Sequence, residues 1–485
     1  MSGDDMSPGG TSPDDASPDS PSPDDAHDPA AAGDPGETAV QIAARVGSGV
    51  CPPDAAVART LRRIDARDHE LGAFRRVRAE EALREARGLA DRADLARLPL
   101  AGVPVAVKDV LAVTGESVRF GSAATSAAPE AADHALVARL RAAGAVIVGL
   151  TAVPELCIFP TTDSSFGITR NPWDRSRTPG GSSGGSGAAV SAGMVPVAHG
   201  TDGLGSIRIP SADCGLFGIK PGRHLLPGDG GADSWYGMSE SGPMATTVAD
   251  AALMLSVLAG DPGLAHPEPA AGLRIGVSAG TPSPVTRLAS SLADALEQVA
   301  DTLLRAGHQV ARARVPYPRN PLGLLARWTR GPAGQARTLD RRMLAPRTRT
   351  HTAIGDAVER WGLVKDSYAQ RIEQDMRALF ADFDIVATPT LLRTAPAAAR
   401  WSDRRWLPNA VSSIRYASYP GIWNVLGWPA ASVPAGVHPG DGMPIGVQLA
   451  GPPGSEATIL ALAAEIESLR PWPRTAPDYA GGVRH

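Results

Sequence analysis

The chain has 485 residues, 43% of them hydrophobic, which is ample for a core in one large domain or up to about three. Its net charge is −4, with ten acids and no Lys or Arg in residues 1–38, so the remainder is mildly basic and neither nucleic acid nor an anionic membrane is demanded as a partner. Three cysteines, Cys51, Cys157 and Cys214, lack any CxxC spacing and exclude a disulfide framework and a cysteine zinc site.

Residues 1–38 repeat units such as Ser12-Pro13-Asp14-Asp15 and Ser22-Pro23-Asp24-Asp25. Seven prolines, many acids and no aromatics predict a disordered acidic tail, with no basic n-region or apolar h-region to make it a signal peptide. The pattern from Thr38 onward is globular. Helical spacing predicts helices over 78–94, 134–143, 247–258, 285–306 and 457–468. Short apolar runs predict buried strands over 103–107, 145–149, 195–199, 215–220, 273–277, 308–314, 384–388, 431–434 and 444–450. Ser211 through Pro221 also carries a buried-strand signal. This alternation predicts an α/β fold with a largely buried central sheet, and no repeat or linker splits residues 39–470. No run of about 18 apolar residues spans a membrane, so the expected location is cytoplasmic.

Two clusters stand out. Residues 180–187 read Gly-Gly-Ser-Ser-Gly-Gly-Ser-Gly. A flexible linker has this composition, but the run leads straight into small apolar residues and a strand. A phosphate loop would end in Gly-Lys-Ser/Thr, and no lysine lies between 108 and 220. A Gly-x-Ser-x-Gly elbow is met only loosely, and no downstream histidine is marked as its base. Residues 201–210 read Thr-Asp-Gly-Leu-Gly-Ser-Ile-Arg-Ile-Pro and place Ser206 in a turn whose N–H groups can converge on an oxyanion. A turn serine capping its own backbone would look the same.

Three blocks together resemble the amidase signature family: Pro104-Val105-Ala106-Val107-Lys108-Asp109; Asn171-Pro172-Trp173-Asp174 leading into Gly180–Ser186; and Thr201-Asp202 through Ile209-Pro210. Ser241–Met244, Asp384–Thr390 and Pro444–Leu449 agree, so the resemblance covers roughly 39–470. It implies a single large α/β domain over 39–485, with a mixed β-sheet core surrounded by helices, and hydrolysis of an amide, or an ester, through a serine acyl-enzyme without metal or other cofactor. By position, it implies Ser206 as nucleophile, Ser182 as bridging cis-serine and Lys108 as general base. The backbone of Gly203, Leu204, Gly205 and Ser206 would form the oxyanion hole, with Ser183, Asp202 and Arg208 in support. Only three of the 47 basic residues are lysines, Lys108, Lys220 and Lys365. Arginine could not replace Lys108, because guanidinium does not give up its proton. Lys220 reads as structural and Lys365 as part of a polar helix.

The chain departs from the family at Leu204, where glycine is usual, and at Leu150 and Ala152. If position 204 needs a positive φ, Leu204 is strained by about 1–2 kcal/mol. The segments 222–242 and 313–430 are expected to shape the substrate pocket. Trp328, Trp361, Trp401, Trp406, Trp423 and Trp428 lie in the second. Most read as core; any that line the pocket favour an apolar or aromatic acyl group. Arg327, Arg330 or Arg405 would instead hold a carboxylate. The expected partner is a small-molecule amide or ester, with room for a homodimer. A glutaminase subunit of a tRNA-dependent amidotransferase and a non-catalytic binding protein are the rival readings.

Overall fold

The computed structural model describes residues 36–226, 234–283 and 285–480. Nearly all of the acidic tail, and residues 227–233 of the first expected pocket segment, lie outside them.

Thirteen strands are present among the described residues. They are β1 (Phe74–Val77), β2 (Pro104–Lys108), β3 (Val146–Thr151), β4 (Asp163–Ser164), β5 (Gly167–Ile168), β6 (Val197–Asp202), β7 (Phe217–Lys220), β8 (Glu240–Ala245), β9 (Arg274–Val277), β10 (Gln309–Arg312), β11 (Ile385–Pro389), β12 (Ala430–Val437) and β13 (Pro444–Ala450). Eleven of them form one sheet in the order β1-β3-β2-β6-β8-β7-β12-β13-β11-β9-β10. The β3-β2-β6 and β11-β9-β10 groups are parallel, and the centre is antiparallel. The sheet is mixed and helices flank it, as the family resemblance implies.

Both faces are buried. Side chains alternate across a strand, so in β2 Val105 and Val107 enter one apolar cluster while Ala106 enters another. Ile147 and its neighbours Val146 and Val148 divide in the same way in β3. This explains the continuous apolar runs of those strands.

The helices follow the sequence signals closely, at Ala79–Ala90, Ala135–Ala142, Val248–Ala259, Ser290–Arg305 and Glu456–Leu469. One expectation is corrected. The strand signal over 211–221 holds only for Phe217–Lys220, because Arg208–Cys214 is a helix. The Asp202 carboxylate accepts the N–H groups of Ile207 and Arg208 at its start. Gly215, at φ +69°, closes it in the left-handed conformation that favours glycine.

Candidate active site

The parallel pairing of β2 with β6 brings the carboxyl ends of both strands together. Lys108 is the last residue of β2 and is fully buried. Its Nζ donates to Ser182 Oγ at 2.8 Å, to Thr201 Oγ1 at 2.7 Å and to the Thr201 carbonyl at 3.2 Å. Burial pushes its pKa down, against a weaker upward pull from Cys157 and Asp202. It has no carboxylate partner of its own: Asp109 pairs with Arg75 and Asp202 with Arg208.

The glycine and serine run forms neither a linker nor a phosphate loop. It is buried throughout, and Gly184–Ser191 is a helix. The Gly181–Ser182 peptide bond is cis. Close packing sets the glycines here, since a Cβ on Gly185 would lie 2.4 Å from Ala152 N and 2.5 Å from Ala73 O. The departure at Ala152 is therefore accommodated, because the contact is to backbone. Ser183 N–H donates to the Ser206 carbonyl at 3.2 Å, and its hydroxyl donates to the Thr201 carbonyl at 3.1 Å.

Ser206 is half-buried and lines a cavity of about 240 Å³ together with Gly181 and Leu204. Its turn is clamped from behind. Asp202 accepts from Gly205 N–H at 2.5 Å and pairs with the Arg208 guanidinium through two bonds of 2.9 and 3.0 Å. Both side chains are fully buried. Burial alone would raise the Asp202 pKa, but Arg208, Lys220 and Asn424 hold it well below the usual carboxylate range. Arg208 also donates to Asn424 Oδ1, Gln448 Oε1 and the Pro420 carbonyl.

This geometry changes two expectations. Gly205 N–H, one of the expected oxyanion donors, is already engaged by Asp202, and of the other three Leu204 and Ser206 line the cavity. Leu204 is not among the residues with positive φ; Gly205 is, at +114°. The turn therefore places its conformational demand on Gly205, and Leu204 is unstrained.

The remaining candidates also find places. Lys220 ends β7 fully buried, and burial beside Arg208 brings its pKa down to about 8. Lys365 immediately precedes the Asp366–Asp382 helix. None of Arg327, Arg330 and Arg405 lines the cavity. Arg327 donates to the Lys365 carbonyl, Arg330 pairs with Glu359, and Arg405 is exposed. Of the six tryptophans only Trp328 reaches the cavity wall, while Trp361 is 69% exposed.

Sequence signals missed Thr201, which shares Lys108 with Ser182 because β6 runs beyond its apolar core. They also missed Cys157. Its thiol hydrogen-bonds with Ser182; burial raises its pKa and the nearby charge of Lys108 lowers it. Asn424 and Gln448 are further polar residues of this kind, and only their contacts with Arg208 reveal them. Among the described residues no three His, Cys, Asp or Glu side chains are grouped to hold a metal ion, and no helix is long and apolar enough to cross a membrane.

With this sheet and these strand ends, the chain falls among the hydrolases that act on the carbon–nitrogen bonds of amides. More particularly, it belongs to the Amidase family, whose model matches residues 55–460. It is 42% identical to AmiB2 of Mycobacterium tuberculosis, which carries the name of an amidase, over 87% of this chain and 93% of that protein. It is 33% identical to an acylamidase of Rhodococcus erythropolis, over 91% and 97% of the two chains. The structure of 6-aminohexanoate cyclic dimer hydrolase complexed with substrate is similar at a TM-score of 0.81 and 29% identity, covering 91% of this chain and 99% of that one.

Proposed function

We propose that the protein hydrolyses a small apolar or aromatic acyl amide through an acyl-enzyme on Ser206. The contact that carries this reading is Lys108 Nζ to Ser182 Oγ at 2.8 Å, made by an amine with no carboxylate partner of its own. A buried amine gives up its proton near neutral pH more readily than an exposed one. Neutral Lys108 takes a proton from Ser182 as Ser182 takes one from Ser206, and Ser206 Oγ attacks the acyl carbon. The N–H groups of the turn other than that of Gly205, which Asp202 holds, stabilise the tetrahedral oxyanion. The same relay returns a proton to the leaving amine, and water releases the acid.

The cavity argues for the substrate class. Its walls include Ile158, Phe159, Leu324, Trp328 and Ile414, and its described lining holds no Asp, Glu, Lys, Arg or His. Residues from 313–430 supply much of it. A glutamine substrate would bring an ammonium and a carboxylate into this cavity with no charged partner. That disfavours the glutaminase reading, although a glutamyl-tRNA(Gln) amidotransferase chain of Chloroflexus aggregans is 32% identical over 87% of this chain.

A fluorophosphonate probe tests the roles. It is expected to bond covalently to Ser206 and to leave Ser206→Ala unlabelled, as read by peptide mass spectrometry. Labelling at Ser182, or none in the wild type, would overturn the assignment.

A further inference from the structure

The cavity holding Ser206 is not the largest one. A cleft of about 910 Å³ opens where the chain leaves the carboxyl ends of β9 and β10, between residues 277–281 and 312–320. β9 is parallel to both β10 and β11, and the crevice beyond the carboxyl ends of parallel strands is where open α/β sheets receive ligands.

The charge in the cleft is one-sided. Arg312, Arg314, Arg319 and Arg371 line it against one carboxylate, Asp375. Arg312 is neutralised by Glu297 through two hydrogen bonds, and Arg371 donates to the Ser367 carbonyl. Arg314 and Arg319 make no ion pair among the described residues. Tyr317, on the same wall, has a buried hydroxyl without a hydrogen-bond partner among the described residues.

The cleft is joined to the active site by its walls. Gly280, Thr281 and Asn320 face the cleft, while the adjoining Pro282, Ser283 and Pro321 face the acyl cavity. The Tyr317 ring meets Tyr419 edge-on at 6.2 Å, and Tyr419 donates to the Ala279 carbonyl at 3.3 Å. The next residue, Pro420, packs on Gly205 and accepts from Arg208. An unbroken line of contacts therefore runs from the cleft to the turn carrying Ser206.

We propose that this cleft binds a small organic anion through its carboxylate or phosphate group, and that its occupancy acts on the neighbouring acyl cavity. Arg314 and Arg319 take the charge with the planar fork that fits both groups. The cleft lies outside the hydrolytic machinery, and the site is additional to amide hydrolysis.

The test is calorimetric titration of the full chain with citrate and, separately, with inorganic pyrophosphate. Saturable binding of at least one is expected, and the one that binds identifies the anionic group. Arg314→Ala combined with Arg319→Ala is expected to weaken it at least about tenfold, as loss of charge-assisted bonds does. A saturating anion is expected to shift KM for an amide several-fold in the wild type and not in the double variant. No saturable binding, or equal binding by the double variant, would overturn the site; binding that leaves KM unchanged would overturn its coupling. The titration needs no turnover, so its outcome is separate from that of the Ser206 labelling.

Discussion

Replacing Lys108 by Met removes the amine while keeping the side chain's length, and should lower kcat/KM by about 10²–10⁴-fold, the usual share of a positioned acid or base. That is about 3–5 kcal/mol of transition-state stabilisation. The hydroxyls of Ser182 and Thr201 each lose a donor, at about 1 kcal/mol apiece, while the cost of a buried amine disappears. Net stability at neutral pH should therefore change little, and the informative quantity is its pH slope. Burial sets the folded pKa of Lys108 below its unfolded value of about 10.4. Between those two values the unfolded chain binds more protons, so Lys108 makes wild-type stability rise with pH, by at most about 1.4 kcal/mol per unit. Below the folded pKa the amine is charged in both states and the slope vanishes. Urea unfolding of both proteins from pH 6 to 10 gives the difference, to which Lys220, present in both, contributes nothing. Lys108→Arg should be as inactive as Lys108→Met, because its charge cannot leave. A variant keeping more than about a tenth of wild-type kcat/KM would refute the base assignment, and a flat stability difference would refute the shifted lysine.

Three further outcomes follow from the turn and its clamp. Gly205→Ala should destabilise by at least about 1–3 kcal/mol in urea unfolding, since its φ is +114° and its Cβ would meet Pro420 at 2.7 Å; unchanged stability would contradict the geometry. Leu204→Gly should leave kcat within roughly twofold and raise KM for apolar amides, because Leu204 contributes cavity wall rather than backbone strain; a large kcat change would mean that Leu204 shapes the oxyanion hole. Asp202→Asn should cost about 3–5 kcal/mol by leaving Arg208 buried and uncompensated. The wild-type pair has a depressed carboxylate pKa, so its contribution is full above about pH 3.9 and is lost as pH falls through the lower folded value.

Local chemistry made much of the site legible in the sequence. A lysine closing an apolar strand and a serine in a glycine turn can be read directly, because strand and turn preferences are short-range. What tertiary pairing imposes could not be read so. β1 is Phe-Arg-Arg-Val, and its charge hides it as a strand until Arg76 is seen against Glu116. β8 contains Gly242 and Pro243, which argue against a strand, yet it is buried between β6 and β7. The cavity wall at Ile158 and Phe159 and the turn at Pro282 and Ser283 lie in irregular segments, whose positions depend on distant packing. The helix at 208–214 looks like a strand because its residues are buried on every side.

The Arg208 clamp has a consequence for synthesis on the ribosome. Its partners Asn424 and Gln448 are 216 and 240 residues further along the chain. The segment bearing Ser206 is therefore made long before the groups that fix its shape exist. A nascent chain stopped short of β13 would carry Lys108, Ser182 and Ser206 together with an Arg208 lacking its Gln448 acceptor. The clamp on the turn bearing Ser206 is therefore complete only once β13 has been made.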